Sequence, residues 1–222
     1  MILESVGLDK NLIIYFRTRV RKWGRINYID YPWRSTSNIW HAVVAEIMLQ
    51  RTKVDQVLPV YNDFIRRFPD AVSYLKTVEK SGEDIFGKLG LRWRNEILGR
   101  TAAHFVKNGI PEDRISLLET PGVGDYVASA ILSLHFEKRE LLIDSNIIRL
   151  YGRFIGFNYD NETRRKRWFR ELVDDITPGK NVKEFNYAVL DYAMKICTLI
   201  PDCNRCLVRR KCYYFNKMNA EL

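Results

Sequence analysis

The sequence predicts an all-α protein whose C-terminal end is organised by a metal centre. Three observations carry this. Apolar residues recur at three- and four-residue spacings along most of the chain. Proline and glycine interrupt those segments at short intervals. The only four cysteines lie together as Cys197-x5-Cys203-x2-Cys206-x5-Cys212.

Helical periodicity covers segments near 10–24, 39–50, 55–67, 70–79, 92–108, 126–136, 145–156, 163–176 and 184–196. Breakers fall between them at Tyr31-Pro32, Phe68-Pro69, Gly109-Ile-Pro111, Pro121-Gly122, Pro178-Gly179 and Pro201-Asp202. Pro69-Asp70 and the stretch after Asn38 have the residue types of helix starts. Leu141-Leu-Ile143 is too short and isolated to imply a sheet, and no internal repeat or low-complexity linker occurs. A chain of 222 residues can hold one domain or two small ones. No apolar run approaches bilayer length, and the N-terminus lacks the cationic, apolar and small-residue order of a secretory signal. With 36 Lys and Arg against 27 Asp and Glu the net charge is +9, which favours a polyanionic partner. Basic runs carry aromatics among their charges, as in Phe16–Trp23, Arg92-Trp-Arg94 and Arg164–Arg170, a mixture suited to phosphate contact beside stacking or to plain amphipathic helices.

Four clustered thiolates need a cation between them. Zinc sites usually pair their ligands as two short clamps, whereas here only Cys203 and Cys206 are closely spaced. The wider outer loops favour a 4Fe–4S cluster over zinc, and disulfides fit poorly in a chain with no mark of secretion.

Leu117–Ile131 reads as a short helix, a glycine-bearing turn and a second helix. Gly122 and Gly124 permit unusual backbone conformations and, with Val123, bring N–H groups to a helix N-terminus, where a phosphate is favoured. An ordinary tight helix–helix turn explains the same string. Asp144 precedes a helical pattern and reads as an N-cap or as a functional carboxylate. Glu46 lies in a strongly apolar helix, where either a partner arginine or a raised pKa and a general-acid role accounts for it.

Taken together, these segments resemble the helix-hairpin-helix DNA glycosylases that carry an iron–sulfur cluster, the superfamily of endonuclease III and MutY. The matching strings are Tyr31-Pro-Trp-Arg34, Ala45-Glu-Ile-Met-Leu-Gln-Arg-Thr52, Leu89-Gly-Leu91, Pro121-Gly-Val-Gly124, Ile143-Asp-Ser-Asn-Ile-Ile-Arg149, Phe185-Asn186 and the four cysteines, in family order from about residue 11 to 212. One departure is the first cysteine loop, with five intervening residues where the family usually has six.

The resemblance implies two helical domains, one over 29–135 that ends in the hairpin and one combining 1–28 with 136–222. It implies Cys197, Cys203, Cys206 and Cys212 as ligands of the 4Fe–4S cluster, which folds the basic loop Leu207–Lys211 against phosphate and tunes DNA affinity through its redox state. Asp144 is assigned to the sugar side of the scissile bond and Glu46 to the base side. Gln50 or Arg51 would fill the space a flipped base leaves, with Arg94 and the hairpin residues Gly122, Val123 and Gly124 on the DNA. Bifunctional members place a lysine two residues after the second hairpin glycine; here that position is Tyr126, which implies base removal without strand cleavage.

The resemblance also bears on the base. Met48–Thr52 is similar to the adenine-removing MutY branch. Three features are closer to the thymine/uracil mismatch branch: Leu89-Gly-Leu-Arg-Trp-Arg-Asn95 replaces MutY's Gly-Leu-Gly-Tyr-Tyr, Tyr187 follows Phe185-Asn186, and the chain ends at Leu222 without an 8-oxoguanine-reading domain. The expectation is a monomeric, cytoplasmic, nucleoid-associated glycosylase of base excision repair, acting on double-stranded DNA with thymine or uracil opposite guanine. The alternatives are an adenine glycosylase and a catalytically silent DNA-binding protein.

Overall fold

The computed structural model describes residues 9–81, 84–89 and 93–220. Gly90, Leu91 and Arg92 of the family-like Leu89–Asn95 string lie outside the described residues. The described residues form twelve α-helices and no strand: α1 Lys10–Asn27, α2 Pro32–Ser35, α3 Ile39–Leu49, α4 Val54–Arg67, α5 Ala71–Ser81, α6 Trp93–Asn108, α7 Arg114–Glu119, α8 Asp125–Leu134, α9 Ser145–Tyr151, α10 Arg167–Ile176, α11 Val182–Lys195 and α12 Tyr213–Ala220. None is long and apolar enough to cross a membrane. The chain divides into two compact units, residues 30–136 and the segment up to Ile29 joined with Glu137 onward.

In the 30–136 unit, α3 is apolar on nearly every side. Trp40, Ala42, Val43, Val44, Ala45, Ile47 and Met48 are all buried, as expected of a helix with no solvent face. Asn38 opens it by accepting from the His41 N–H at 3.4 Å. Asp70 opens α5 in the same way, accepting from the Ser73 N–H at 2.7 Å. Trp40, Phe64, Phe68 and Tyr74 pack with ring centroids 4.9–5.9 Å apart, each pair worth about 1 kcal/mol beyond its buried area.

In the other unit, α1 lies along α11. Phe16 meets Tyr151 and Phe154 at 5.5 and 4.8 Å, and Trp23 meets Tyr192 edge-on at 5.2 Å. Arg17 donates to the carbonyls of Asp175, Ile176 and Thr177, placing a cation at the C-terminus of α10 where the helix dipole favours one. The segment expected to be helical over 163–176 splits into a 3-10 turn at Thr163–Arg165 and then α10. Its basic run is not a bare cationic face: Arg165 pairs with Glu162, Lys166 with Asp160 and Arg167 with Glu171. No sign of α12 is legible in the sequence, because it buries no residue and so leaves no apolar stripe to read.

Candidate functional site

Glu46 stands on α3. Part of its surface stays reachable, yet its carboxyl is deep among protein atoms, and that burial pushes its pKa up to about 7 against the opposing pull of Arg34. Arg34 is itself buried, over the Tyr31 ring at 5.1 Å, and Tyr31 stacks on Trp33 at 4.9 Å.

The chain leaves α3 through Gln50, Arg51 and Thr52. Arg51 is exposed and left-handed, with φ 57°, a conformation that costs a non-glycine residue about 1 kcal/mol. Arg94 holds this turn. It is fully buried and donates to the carbonyls of Met48, at 3.2 Å, and Gln50, and to the Thr52 hydroxyl at 2.8 Å. The expectation that Arg94 touches DNA is corrected: its guanidinium satisfies the orphan carbonyls at the end of α3 and shapes the loop that presents Gln50 and Arg51.

The hairpin runs from α7 through Thr120–Gly124 into α8 and packs on α3. Gly122 has φ +84°, and a Cβ there would come within 2.4 Å of Ile97 Cγ2 and 3.7 Å of Ile47 Cδ1. Thr101 fixes the turn by donating to the Pro121 carbonyl at 2.6 Å. Val123 is buried and gives its N–H to the Thr120 carbonyl at 3.1 Å. Gly122 thus adopts the unusual backbone conformation expected of it. Gly122 serves a tight turn packed on α6 and α3, and Val123 has no N–H left to offer. Gly124 differs from both: its φ is −93°, a Cβ there would meet nothing within 4 Å, and it opens α8 without a side-chain cap. Arg114 braces the hairpin by donating to Asp125, at 2.7 Å, and Ser129, at 2.9 Å. Tyr126 sits in the first turn of α8, half-buried against the core.

In the other unit Asp144 caps α9. One carboxylate oxygen accepts from the Ile147 N–H at 2.7 Å, the other from the Asn146 amide at 2.9 Å. Asn146 in turn accepts from Arg149 at 2.9 Å, and Arg149 donates to the carbonyls of Cys197, at 2.8 Å, and Ala193, at 3.0 Å. The carboxylate is therefore tied by side chains to the end of α11, where the first cysteine stands. Asn146 and Arg149 lie inside the family-like string, but no role for them could be read there, because their partners are up to 48 residues away.

The four cysteines are free thiols in the same unit as Asp144, with Cys197 and Cys212 buried and the other two partly so. Burial raises the pKa of Cys197 and Cys203 and pushes Cys212 up to about 11. The nearby Cys206 pushes each the same way, on Cys197 against the larger opposing pull of Arg153, so Cys206 is an electrostatic neighbour of all three others. Converging thiols, three of them pushed toward the protonated form by burial and by the nearby Cys206, are a donor set that a multivalent cationic centre would relieve. No group of three or more His, Cys, Asp and Glu side chains among the described residues is arranged to hold a single metal ion. Arg153 ties down the first cysteine loop through the Thr198 and Leu199 carbonyls, and Arg209 the second through Asn204.

No family model matches the chain. Similar proteins are a thymine/uracil-DNA glycosylase from Pyrobaculum aerophilum, 36% identical over 91% of this chain and 92% of its own length, and a thymine-DNA glycosylase from Aeropyrum pernix, 36% identical over 94% and 98%. The solved structure of a thermostable thymine-DNA glycosylase superposes with a TM-score of 0.86 at 27% identity, covering 93% of this chain and 98% of that one. The chain belongs to the helix-hairpin-helix DNA glycosylases.

A DNA glycosylase binds DNA and breaks the bond between base and sugar. In this glycosylase, Glu46, Gln50, Arg51, Arg94, Tyr126 and the hairpin belong to the 30–136 unit, and Asp144 and the cysteines to the other. The two hairpin glycines can be separated by experiment. Gly124→Ala adds a methyl group to open surface at an allowed φ, so the fold should be unchanged while affinity for matched and mismatched duplexes falls together, by about tenfold, because a phosphate carries no sequence information. Gly122→Ala should instead destabilise the protein by about 1–3 kcal/mol through strain and overpacking. Thermal melts beside duplex titrations check both. Unchanged affinity in Gly124→Ala, or a loss confined to mismatched duplex, would remove the phosphate from this turn.

Proposed function

We propose that this glycosylase removes thymine or uracil mispaired with guanine and leaves an abasic site, as a cytoplasmic, nucleoid-associated monomer in base excision repair. The observation that carries the reading is the 36% identity, over nearly the full length of both chains, to a thymine/uracil-DNA glycosylase. The residues present supply a matching chemistry. A departing pyrimidine takes the bond's electron pair, leaving positive charge on the sugar until water adds at C1′ and its released proton balances the charge of the freed base. Asp144 is assigned to face that charge. Glu46, neutral below about pH 7, donates a hydrogen bond to the departing base and offsets its negative charge. Extrusion of the base is easier at a mispair, and the preset loop of Gln50 and Arg51 fills the space left behind. The four cysteines would hold a 4Fe–4S cluster, which when bound neutralises the thiolates and fixes the loops between them.

Tyr126 supports the monofunctional reading. A phenol cannot form the Schiff base that links base removal to strand cleavage. Labelled duplexes carrying T:G, U:G, A:G and A:8-oxoguanine, incubated with excess protein and then treated with alkali, test both parts. Strand breaks should appear in the T:G and U:G duplexes only after alkali, and borohydride should trap no covalent complex. Tyr126→Lys should gain a trapped complex. Faster loss of adenine than of thymine and uracil would overturn the substrate, and breakage without alkali would overturn the monofunctional reading.

A further inference from the structure

Tyr192 is fully buried on α11, and neither the fold nor the chemistry of base removal calls for its hydroxyl group. That hydroxyl accepts the Leu207 N–H at 2.8 Å and lies 3.1 Å from Cys206 Sγ. Since the oxygen already receives one proton from the backbone, its own proton is left to point elsewhere, and the sulfur lies within its reach. A metal-bound cysteine is a thiolate, an acceptor with no proton of its own. The hydroxyl is therefore set to donate to the ligand form of Cys206. The edge contact with Trp23 at 5.2 Å fixes the ring that carries it.

We propose that the Tyr192 hydroxyl is a positioning group for the cluster, donating a hydrogen bond to the Cys206 sulfur that raises the reduction potential and locks the Cys203–Cys212 loop. The proposal rests on the reading of the four cysteines as ligands of a 4Fe–4S cluster. Reduction adds negative charge that spreads onto the ligand sulfurs, and a donor aimed at one of them stabilises the reduced state more than the oxidised one. The same oxygen accepts the backbone N–H directly after Cys206, so one side chain couples the electronics of a ligand to the path of its loop.

The test compares native holoprotein with Tyr192→Phe, which keeps the ring against Trp23 and deletes only the hydroxyl. Iron should be about four atoms per native chain. At a fixed potential the ratio of oxidised to reduced cluster should rise about tenfold in the variant, a fall of about 59 mV for a one-electron couple. Iron loss to a chelator should speed up as the Leu207 N–H loses its acceptor. If the variant does not assemble, the native protein still decides: its iron–cysteine stretching bands in resonance Raman should move on exchange into D2O. Purely structural packing by Tyr192 would leave the potential and the chelation rate unchanged, and that result overturns the proposal, as does the absence of a D2O shift. A native chain without iron overturns the cluster itself, an outcome distinct from an iron-loaded variant with native potential.

Discussion

Asp144→Asn should lower single-turnover base release by about 10²-fold or more while duplex binding survives or tightens. Two explanations of Asp144 coexist in the structure, since the same carboxylate that would face the sugar also caps α9. Asparagine separates them. It caps a helix about as well as aspartate, so the Ile147 N–H keeps its acceptor. Its amide would face the Asn146 amide, donor against donor, and lose that bond at a cost of about 1 kcal/mol. The fold should persist at that expense, without the negative charge. Asp144→Ala removes cap and charge together, costing about 1–2 kcal/mol of stability on top of the same loss of activity. If stability followed these steps but Asp144→Asn kept full activity, Asp144 would be a cap and nothing more, and the assignment of the sugar side would be lost.

What the sequence could reveal about this site follows from where each partner lies. The helix starts at Asn38, Asp70 and Asp144 are local, since each cap reaches an N–H three residues on, and all three were legible. The apolar character of α3 was equally plain and already made Glu46 stand out. Arg94 was not legible. Beside Arg92 and Trp93 it reads as part of a basic, aromatic strip, and only the fold reveals that its acceptors are two backbone carbonyls and the Thr52 hydroxyl, 42 to 46 residues earlier. Gly122 and Gly124 are the same letter two positions apart, yet one turns its Cβ direction into Ile97 and the other into open space. No spacing rule separates them, because the difference lies in φ and in what α6 places opposite the turn. The hydroxyl of Tyr192 escapes notice for the same reason, since its sulfur partner lies fourteen residues away.

Glu46→Gln should lower base release by about 10²-fold at pH 6.5, because an amide N–H is a far weaker donor than a carboxylic acid and has no proton to pass on, and should abolish a pH dependence that the native protein should show. The native carboxyl titrates at about 7 because burial disfavours its charged form. Below that pH it is neutral and can donate a hydrogen bond to the departing base; above it the proton is lost and the rate should fall by up to tenfold per pH unit. Glutamine cannot titrate, so its slower rate should stay flat from pH 5.5 to 8.5. The same substitution should act on stability in the opposite sense. The folded state holds the Glu46 proton up to about pH 7, while the unfolded chain releases it near 4.5, so the native protein loses stability as pH rises between those values. The loss approaches about 3 kcal/mol, and above pH 7 Glu46→Gln should be the more stable protein by up to that amount. Melting curves and single-turnover rates measured across the same buffers check both. A flat native rate profile would remove Glu46 as the acid. A glutamine variant no more stable than the native protein at pH 8 would show that the carboxylate is solvated in the fold, and with it the reason for a neutral Glu46 at the base would disappear.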